Sequence, residues 1–350
     1  MTDEPVGVGL VGYGVSGSSL HAPLITAEPR LRLRAVVSSD PDRVHRDLPV
    51  PVVPAVADLL ADPSIELVIV AVPNEVHHQV AGAALSAGRH VVVDKPFTVT
   101  TAQADELLAL AESRDRLVAV FHQRRWDSDY RTVRGCVDRG LLGTANTYVA
   151  RYDRYRPVPA AQWREQARPG AGVLYDLGAH LIDQAVHLFG APETITADVR
   201  AQRAGAAIDD YFHVIFGYGA LQVILHAGSL VPAPGPRFEV HGDAGSYVSG
   251  GIDGQIAALL AGRRPGDPGW GVEPADHYGT LTTVAGTPPT SSRFASATGA
   301  YETFYRGMAE AVRGHGPVPV TAREGRETVE LIEGCLESSA TGRTISRQLH

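Results

Sequence analysis

Val6-Gly7-Val8-Gly9-Leu10-Val11-Gly12-Tyr13-Gly14-Val15-Ser16-Gly17 is a short apolar run that breaks into G-x-G-x-x-G. The run reads as a buried strand, and residues 18–25 after it read as a helix. In that setting each glycine has a task. Gly12 permits the tight turn, Gly14 lets backbone come up against a pyrophosphate, and Gly17 lets helix and strand pack closely, with the helix N-terminus facing the phosphate charge. A glycine-rich turn alone is common. A strand before it and a helix after it make it a dinucleotide-binding signal, with Tyr13 and Val15 carried in the turn.

The same alternation continues outward. Residues 31–37, 67–72, 91–93 and 117–121 read as strands, and 55–61, 75–87 and 101–114 as helices, with Gly88 closing one of them. This pattern predicts a doubly wound parallel sheet with helices on both faces, a Rossmann domain over residues 1–122. Ligands of such sheets bind beyond the carboxyl ends of the strands. Three strand ends qualify: the glycine turn, Pro73-Asn74 with His77, and Lys95-Pro96. Asn74 suits the nicotinamide ribose. His77 either does likewise or packs the start of a helix, and His78 reads as a surface residue. Just past residues 31–37 stand Ser38 and Ser39, with Asp40 next and Arg43 close behind. An acid directly after that strand would accept from a ribose 2′-hydroxyl, whereas two hydroxyls and an arginine accommodate a 2′-phosphate. NADP is therefore expected over NAD. The alternative is that Asp40 curls back and selects NAD.

Lys95 is the only lysine of 350 residues, so every other member of the 31 Lys plus Arg is arginine. An ammonium loses its proton when desolvated or crowded by positive charge, and a guanidinium does not. A proton-handling role fits Lys95; an exposed lysine left behind by drift toward arginine is the bland reading.

From about residue 144 the texture changes to β-rich runs at 148–152, 194–202, 211–216, 221–226 and 237–241, with 272–283 a further candidate. Their spacing predicts a large, mostly antiparallel open sheet, the core of an α+β second domain over residues 123–350. A loop over 153–172 interrupts it, followed by a helix over 174–189; helices over 301–313 and 323–341 close the chain. On the 174–189 helix Asp176 and His180 stand four apart on one face, and Asp183 and His187 extend the stripe. A carboxylate one turn from an imidazole fixes its tautomer and stabilises its protonated form, which suits a histidine taking a proton from a hydroxyl. An ordinary surface pair is the alternative for Asp176 and His180, and His187 fits the helix C-terminal dipole. The stripe runs over three turns, too far for all four side chains to meet one ion, so no metal is expected. Gly178 lets another backbone or a ligand come close.

Hydrophobic content of 44%, charged content of 20% and a net charge of −8 describe an ordinary globular chain with no basic stripe for nucleic acid. Cys136 and Cys335 make no disulfide framework. The start of the chain lacks a signal pattern, and the apolar runs are too short to span a bilayer. A cytoplasmic protein with neither nucleic acid nor membrane as partner is the expectation.

Together the glycine turn, Asp94-Lys95-Pro96 and Gly172-Val173-Leu174-Tyr175-Asp176-Leu177-Gly178-Ala179-His180 resemble the Gfo/Idh/MocA family of NAD(P)-dependent oxidoreductases, over essentially the whole chain. The family triplet usually begins with Glu; here it is Asp94. A narrower likeness, to NADP-dependent scyllo-inositol dehydrogenases of that family, rests on residues including His122-Gln123-Arg124-Arg125-Trp126-Asp127 and Tyr152-Asp153-Arg154-Tyr155-Arg156-Pro157. The subgroup usually has Asn where this chain has Gln123. The resemblance implies a catalytic set of Lys95, Asp176 and His180, and substrate contacts from Gln123, Arg124, Asp153 and Tyr155. It implies hydride transfer between the nicotinamide and a secondary hydroxyl of a cyclic polyol or sugar, with a sugar acid open because arginine forks suit carboxylates. A keto-sugar reductase and a non-catalytic NADP(H)-binding regulator are the alternatives. It also implies a homodimer or homotetramer formed through the C-terminal sheet.

Overall fold

Six parallel strands in the order β3-β2-β1-β4-β5-β6 carry the glycine turn. They are β1 (Val6–Val11), β2 (Leu31–Val37), β3 (Val52–Val53), β4 (Leu67–Val70), β5 (His90–Asp94) and β6 (Val118–Phe121). The computed structural model describes residues 4–284 and 286–346. β1 lies between β2 and β4, both in parallel register. The strand order therefore reverses beside β1, where open sheets of this kind open a ligand crevice. Val8, Leu10, Leu67, Ile69 and Val91 to Val93 have no exposed surface, because helices cover both faces of the sheet. The helices of this part are α1 (Ala22–Ala27), α2 (Pro41–Asp47), α3 (Val56–Leu60), α4 (His77–Ser86) and α5 (Thr101–Ser113). A single π turn, Gly17–His21, precedes α1.

The chain forms two compact units. The first holds residues 1–123 and also 255–270 and 300–326; the second holds the remainder. The sequence reading placed everything after residue 122 in the second domain. The two later segments join the first unit because they carry its apolar cover. Phe304 and Tyr305 pack on Phe121 with ring centroids 4.9 and 5.6 Å apart, and Arg313 grips the Glu66 carboxylate with both terminal nitrogens, at 2.6 and 2.9 Å.

The second unit is built on nine strands: β7 (Ala145–Arg151), β8 (Thr194–Arg200), β9 (Tyr211–Tyr218), β10 (Leu221–Gly228), β11 (Phe238–Gly242), β12 (Gly245–Val248), β13 (Gly279–Thr283), β14 (Thr290–Phe294) and β15 (Ile345–Ser346). Their order is β14-β13-β12-β11-β7-β10-β9-β8-β15, antiparallel except for the β7–β10 pair. Tyr148, Phe212, Val214, Phe216, Val223, Leu225, Phe238 and Val240 are fully buried. Val214, Phe216, Val223 and Leu225 thus line a single apolar face; the opposite face carries half-buried Ile215 and Ile224 among polar neighbours. Helices α6 (Ser128–Asp138) and α7 (Ala179–Phe189) belong to this unit. Later in the chain come α8 (Gln255–Leu260), α9 (Glu302–Val312) and α10 (Ala322–Thr341). Among the described residues no helix is long and apolar enough to cross a membrane.

Candidate functional site

The coenzyme-side residues belong to the first unit. Gly12 has φ +97°, and a Cβ there would lie 2.3 Å from the Ala71 carbonyl oxygen. A Cβ on Gly17 would lie 2.2 Å from the Gly12 oxygen, so the turn admits only glycine at both positions. At Gly14 a Cβ would meet nothing within 4 Å. The turn is closed on its inner side and open at Gly14, which fits backbone presented to a pyrophosphate. Ser16 Oγ donates to Asp94 Oδ2 at 2.5 Å, tying this turn to the end of β5.

Asp94 is buried and its Oδ1 accepts the Lys95 backbone N–H at 2.8 Å. Burial would raise the Asp94 carboxyl, but His21, Lys95 and Ser16 outweigh it and hold the group well below the usual carboxylate range. His21 Nε2 lies 3.6 Å from Asp94, and its Nδ1 meets the Tyr305 hydroxyl at 2.5 Å. The end of β5 that presents Lys95 is therefore fixed by a buried anion. That answers the departure from glutamate: the shorter aspartate keeps the carboxylate and anchors it through Ser16 and His21.

His77 is fully buried. Its Nδ1 lies 2.9 Å from the Pro96 oxygen and its Nε2 3.0 Å from the Val72 oxygen. It braces the ends of β4 and β5 against each other, the packing role, and offers no ring atom to a ligand. Asn74 is buried in the turn after Pro73. Asp40 does not curl back. Its Oδ1 accepts the Arg43 backbone N–H at 3.0 Å as the N-cap of α2, and Ser38 Oγ accepts the Asp40 N–H at 3.1 Å. Arg43 Nη2 donates to Ser18 Oγ at 3.2 Å; Ser39 follows in the same exposed stretch.

The residues expected to meet the substrate hydroxyl belong to the second unit. Leu174–Gly178 is a π turn that runs directly into α7. Asp209 holds its start: its carboxylate accepts the Leu174 N–H at 2.8 Å and its carbonyl the Val173 N–H at 3.0 Å. Gly172, at φ +94°, gives Asp209 the room; a Cβ there would sit 1.9 Å from Asp209 Oδ1. Burial pushes the Asp209 carboxyl up to about 6. Gly178 serves packing, since a Cβ would meet Leu174 at 2.8 Å and Phe212 at 3.5 Å.

Asp176 and His180 stand one turn apart on this continuous helical segment, Asp176 partly exposed and His180 buried. Arg164 Nε approaches Asp176 Oδ1 to 3.5 Å and stacks on the Trp163 ring at 4.5 Å. A cavity of about 50 Å³ is lined by Arg154, Arg156, Arg164, Asp176, Arg203 and Asp209. The Arg154 Nε is buried and has no hydrogen-bond partner among the described residues, and burial lowers the pKa of that guanidinium. Such donors fit a polar, oxygen-rich ligand. Asp183 is held by Arg125 in a buried pair, at 2.6 and 3.0 Å, and His187 Nδ1 meets the Tyr130 hydroxyl at 2.7 Å. The lower half of the stripe is structural.

Among the expected substrate contacts, Arg124 pairs with Asp127 at 2.9 Å and lies over Tyr152. Asp153 Oδ1 stands 3.2 Å from His226 Nε2 on β10. Tyr155 is 59% exposed and available. Gln123 is buried, and among the described residues its Oε1 has no hydrogen-bond partner. Sequence reasoning missed Asp209, whose adjacent aspartates before a strand were the available signal, and it passed over α8 entirely.

Residues 6–122 match the NAD-binding Rossmann fold of the Gfo/Idh/MocA oxidoreductase family, and residues 134–346 match the family's C-terminal alpha/beta domain. The chain is 43% identical to the scyllo-inositol 2-dehydrogenase (NADP⁺) IolW of Bacillus subtilis, over 98% of this chain and 96% of that one. It is 44% identical to the uncharacterized oxidoreductase YdgJ of Escherichia coli, over 97% of each. A solved Bacillus subtilis oxidoreductase, yvaA, superposes with a TM-score of 0.97 at 43% identity, covering 99% of this chain and 100% of that one.

Proposed function

This chain belongs to the Gfo/Idh/MocA family of oxidoreductases, and from that premise we propose that it is an NADP-preferring dehydrogenase acting on a secondary hydroxyl of a cyclic polyol or sugar, scyllo-inositol being the type substrate. The observation that carries the coenzyme preference is Asp40. Its carboxylate is spent on capping α2, so Ser38, Ser39 and Arg43 are left to meet the ribose, without the acid that would repel a 2′-phosphate. The substrate class is supported by the named relative and by the arginines around Asp176.

NADP, when bound, supplies the hydride acceptor. His180 takes the proton of the reacting hydroxyl, and Asp176 orients the imidazole and stabilises its charged form. Lys95 donates a hydrogen bond to the same oxygen and stabilises its developing negative charge. Fixing the end of β5 through Asp94 limits how far the Lys95 backbone can drift, which matters because small misplacements of a catalytic group are costly. Self-association through the face of the second-unit sheet that carries Ile215 and Ile224 belongs to the same proposal.

The test is initial rates with scyllo-inositol, myo-inositol and common aldoses, each with NADP and NAD, over the purified full chain. Turnover of a cyclic polyol with NADP well above NAD is the expected result. NADPH binding without turnover of any polyol, sugar or keto-sugar would sink the reading in favour of a regulatory protein.

A further inference from the structure

We propose that Arg264, contributed by the segment 255–270, joins Arg43 in a two-guanidinium clamp on the ribose 2′-phosphate of NADP and so shares in setting coenzyme preference; this rests on the NADP reading above. A groove of about 450 Å³ in the first unit is lined by Tyr13, Ser18, Arg43, Arg46, Asp47 and Arg264, among others. Three guanidiniums there face one carboxylate, in a chain whose net charge is −8. That carboxylate is already engaged, because the Tyr13 hydroxyl donates to Asp47 at 3.2 Å. Among the described residues neither Arg43 nor Arg264 makes an ion pair. Arg43 donates to the Ser18 hydroxyl, and Arg264 Nη1 donates to the carbonyl of Arg263 at 2.9 Å.

Three guanidiniums against one carboxylate leave the groove with net positive charge, and a phosphate dianion offsets it while accepting several charge-assisted bonds. The pyrophosphate is served by the backbone of the glycine turn. The groove instead borders Tyr13 of the glycine turn and Arg43 of α2, the helix that follows β2, and in this fold the adenosine ribose lies beyond the end of that strand. Burial and the Asp47 carboxylate push the Tyr13 phenol up to about 12, and Arg43 and Arg264 both act against that, so both charges are felt at the same hydroxyl. The backbone that carries Arg264 is anchored. Leu259 on α8 is 3% exposed, α8 packs on the turn 17–21, and the Asp267 carboxylate accepts the Arg264 N–H at 2.7 Å.

The coenzyme-free chain is titrated with NADPH and with NADH by fluorescence, and with adenosine 2′,5′-bisphosphate and ADP as competitors. Wild type, Arg264→Ala, Arg264→Gln and Arg43→Ala are compared, with melting temperatures as fold controls. Both Arg264 variants should weaken NADPH by about tenfold or more and leave NADH within about twofold, as loss of a charge-assisted phosphate contact requires. The bisphosphate should lose its advantage over ADP in parallel. Equal weakening of both coenzymes, or unchanged NADPH affinity in both variants, overturns the clamp. A wild type that binds NADH as tightly as NADPH overturns the NADP reading and the clamp with it. A wild type that prefers NADPH, together with Arg264 variants that prefer it equally, overturns the clamp alone.

Discussion

Replacing Gly172 with alanine should destabilise the second unit and disarm the helix that carries Asp176 and His180. Two costs combine. At φ +94° an L-residue pays about 1–2 kcal/mol relative to glycine. The new Cβ would also fall 1.9 Å from Asp209 Oδ1, far inside contact distance, so the Asp209 carboxylate must swing away. In moving it surrenders the Leu174 N–H, a charge-assisted bond worth about 1.5–3 kcal/mol. The expected loss is about 2.5–5 kcal/mol, which in a domain of this size lowers the melting temperature by roughly 5–20 °C. The diagnostic comparison is a double-mutant cycle with Asp209→Ala. That change removes the clashing group, so Gly172→Ala in its presence should cost only the backbone share, about 1–2 kcal/mol. The assay is thermal melting by circular dichroism with kcat measured on each variant, and kcat should fall in Gly172→Ala even at temperatures where the chain is fully folded. Strictly additive costs in the cycle would refute the reasoning, because they would mean that Gly172 and Asp209 do not share the space assigned to them.

The Asp209 carboxyl itself predicts a pH effect. Burial raises it to about 6 from an ordinary 3.8, so the native state binds more protons than the unfolded chain between those values. Its contribution to stability is therefore fully present below about 4 and is lost as pH rises through about 6. Asp209→Asn keeps an acceptor for Leu174 without the charge; it should melt higher than wild type at pH 7.5, by the equivalent of about 3 kcal/mol, with the gap closing toward pH 4. A gap that is constant with pH would show that the carboxyl titrates normally. Lys95→Arg keeps the positive charge but not the compact, deprotonable amine, and should lower kcat by about 10²-fold or more while leaving NADPH affinity within about threefold. Wild-type-like turnover in that variant would end the proton-handling role.

The glycine turn, the lysine at the end of β5 and the helix with Asp176 were legible because each is a local pattern whose chemistry lies within a few residues. His77 was ambiguous for a physical reason. Its role depends on Val72 and Pro96, ends of two strands that become neighbours only when β4 and β5 pair in parallel. Asp40 was ambiguous because an aspartate two residues past a strand can either face the ribose or cap the next helix. The Pro41 that follows it favours the cap, since proline fits the first helical turn.

Asp153 shows what a local reading does not see. The resemblance puts it among the substrate contacts, and in the fold its carboxylate also stands 3.2 Å from the His226 ring. The reason is the one parallel pair in an otherwise antiparallel sheet: β10 runs beside β7 in the same direction and sets His226 opposite Arg151, two residues before Asp153. Spacing in the sequence predicts a mostly antiparallel sheet and does not say which pair is the parallel one. The same limit hid Arg264. Nothing near it in the chain marks a coenzyme contact, and its position follows from apolar anchoring of α8 against a helical turn more than 200 residues earlier. Local motifs thus announce the glycine turn and the lysine and histidine, while partners such as His226 and Arg264 arrive through nonlocal packing. A single substitution in the 255–270 segment is accordingly the sharper probe of coenzyme choice, because no local motif there supplies a second function to confuse the result.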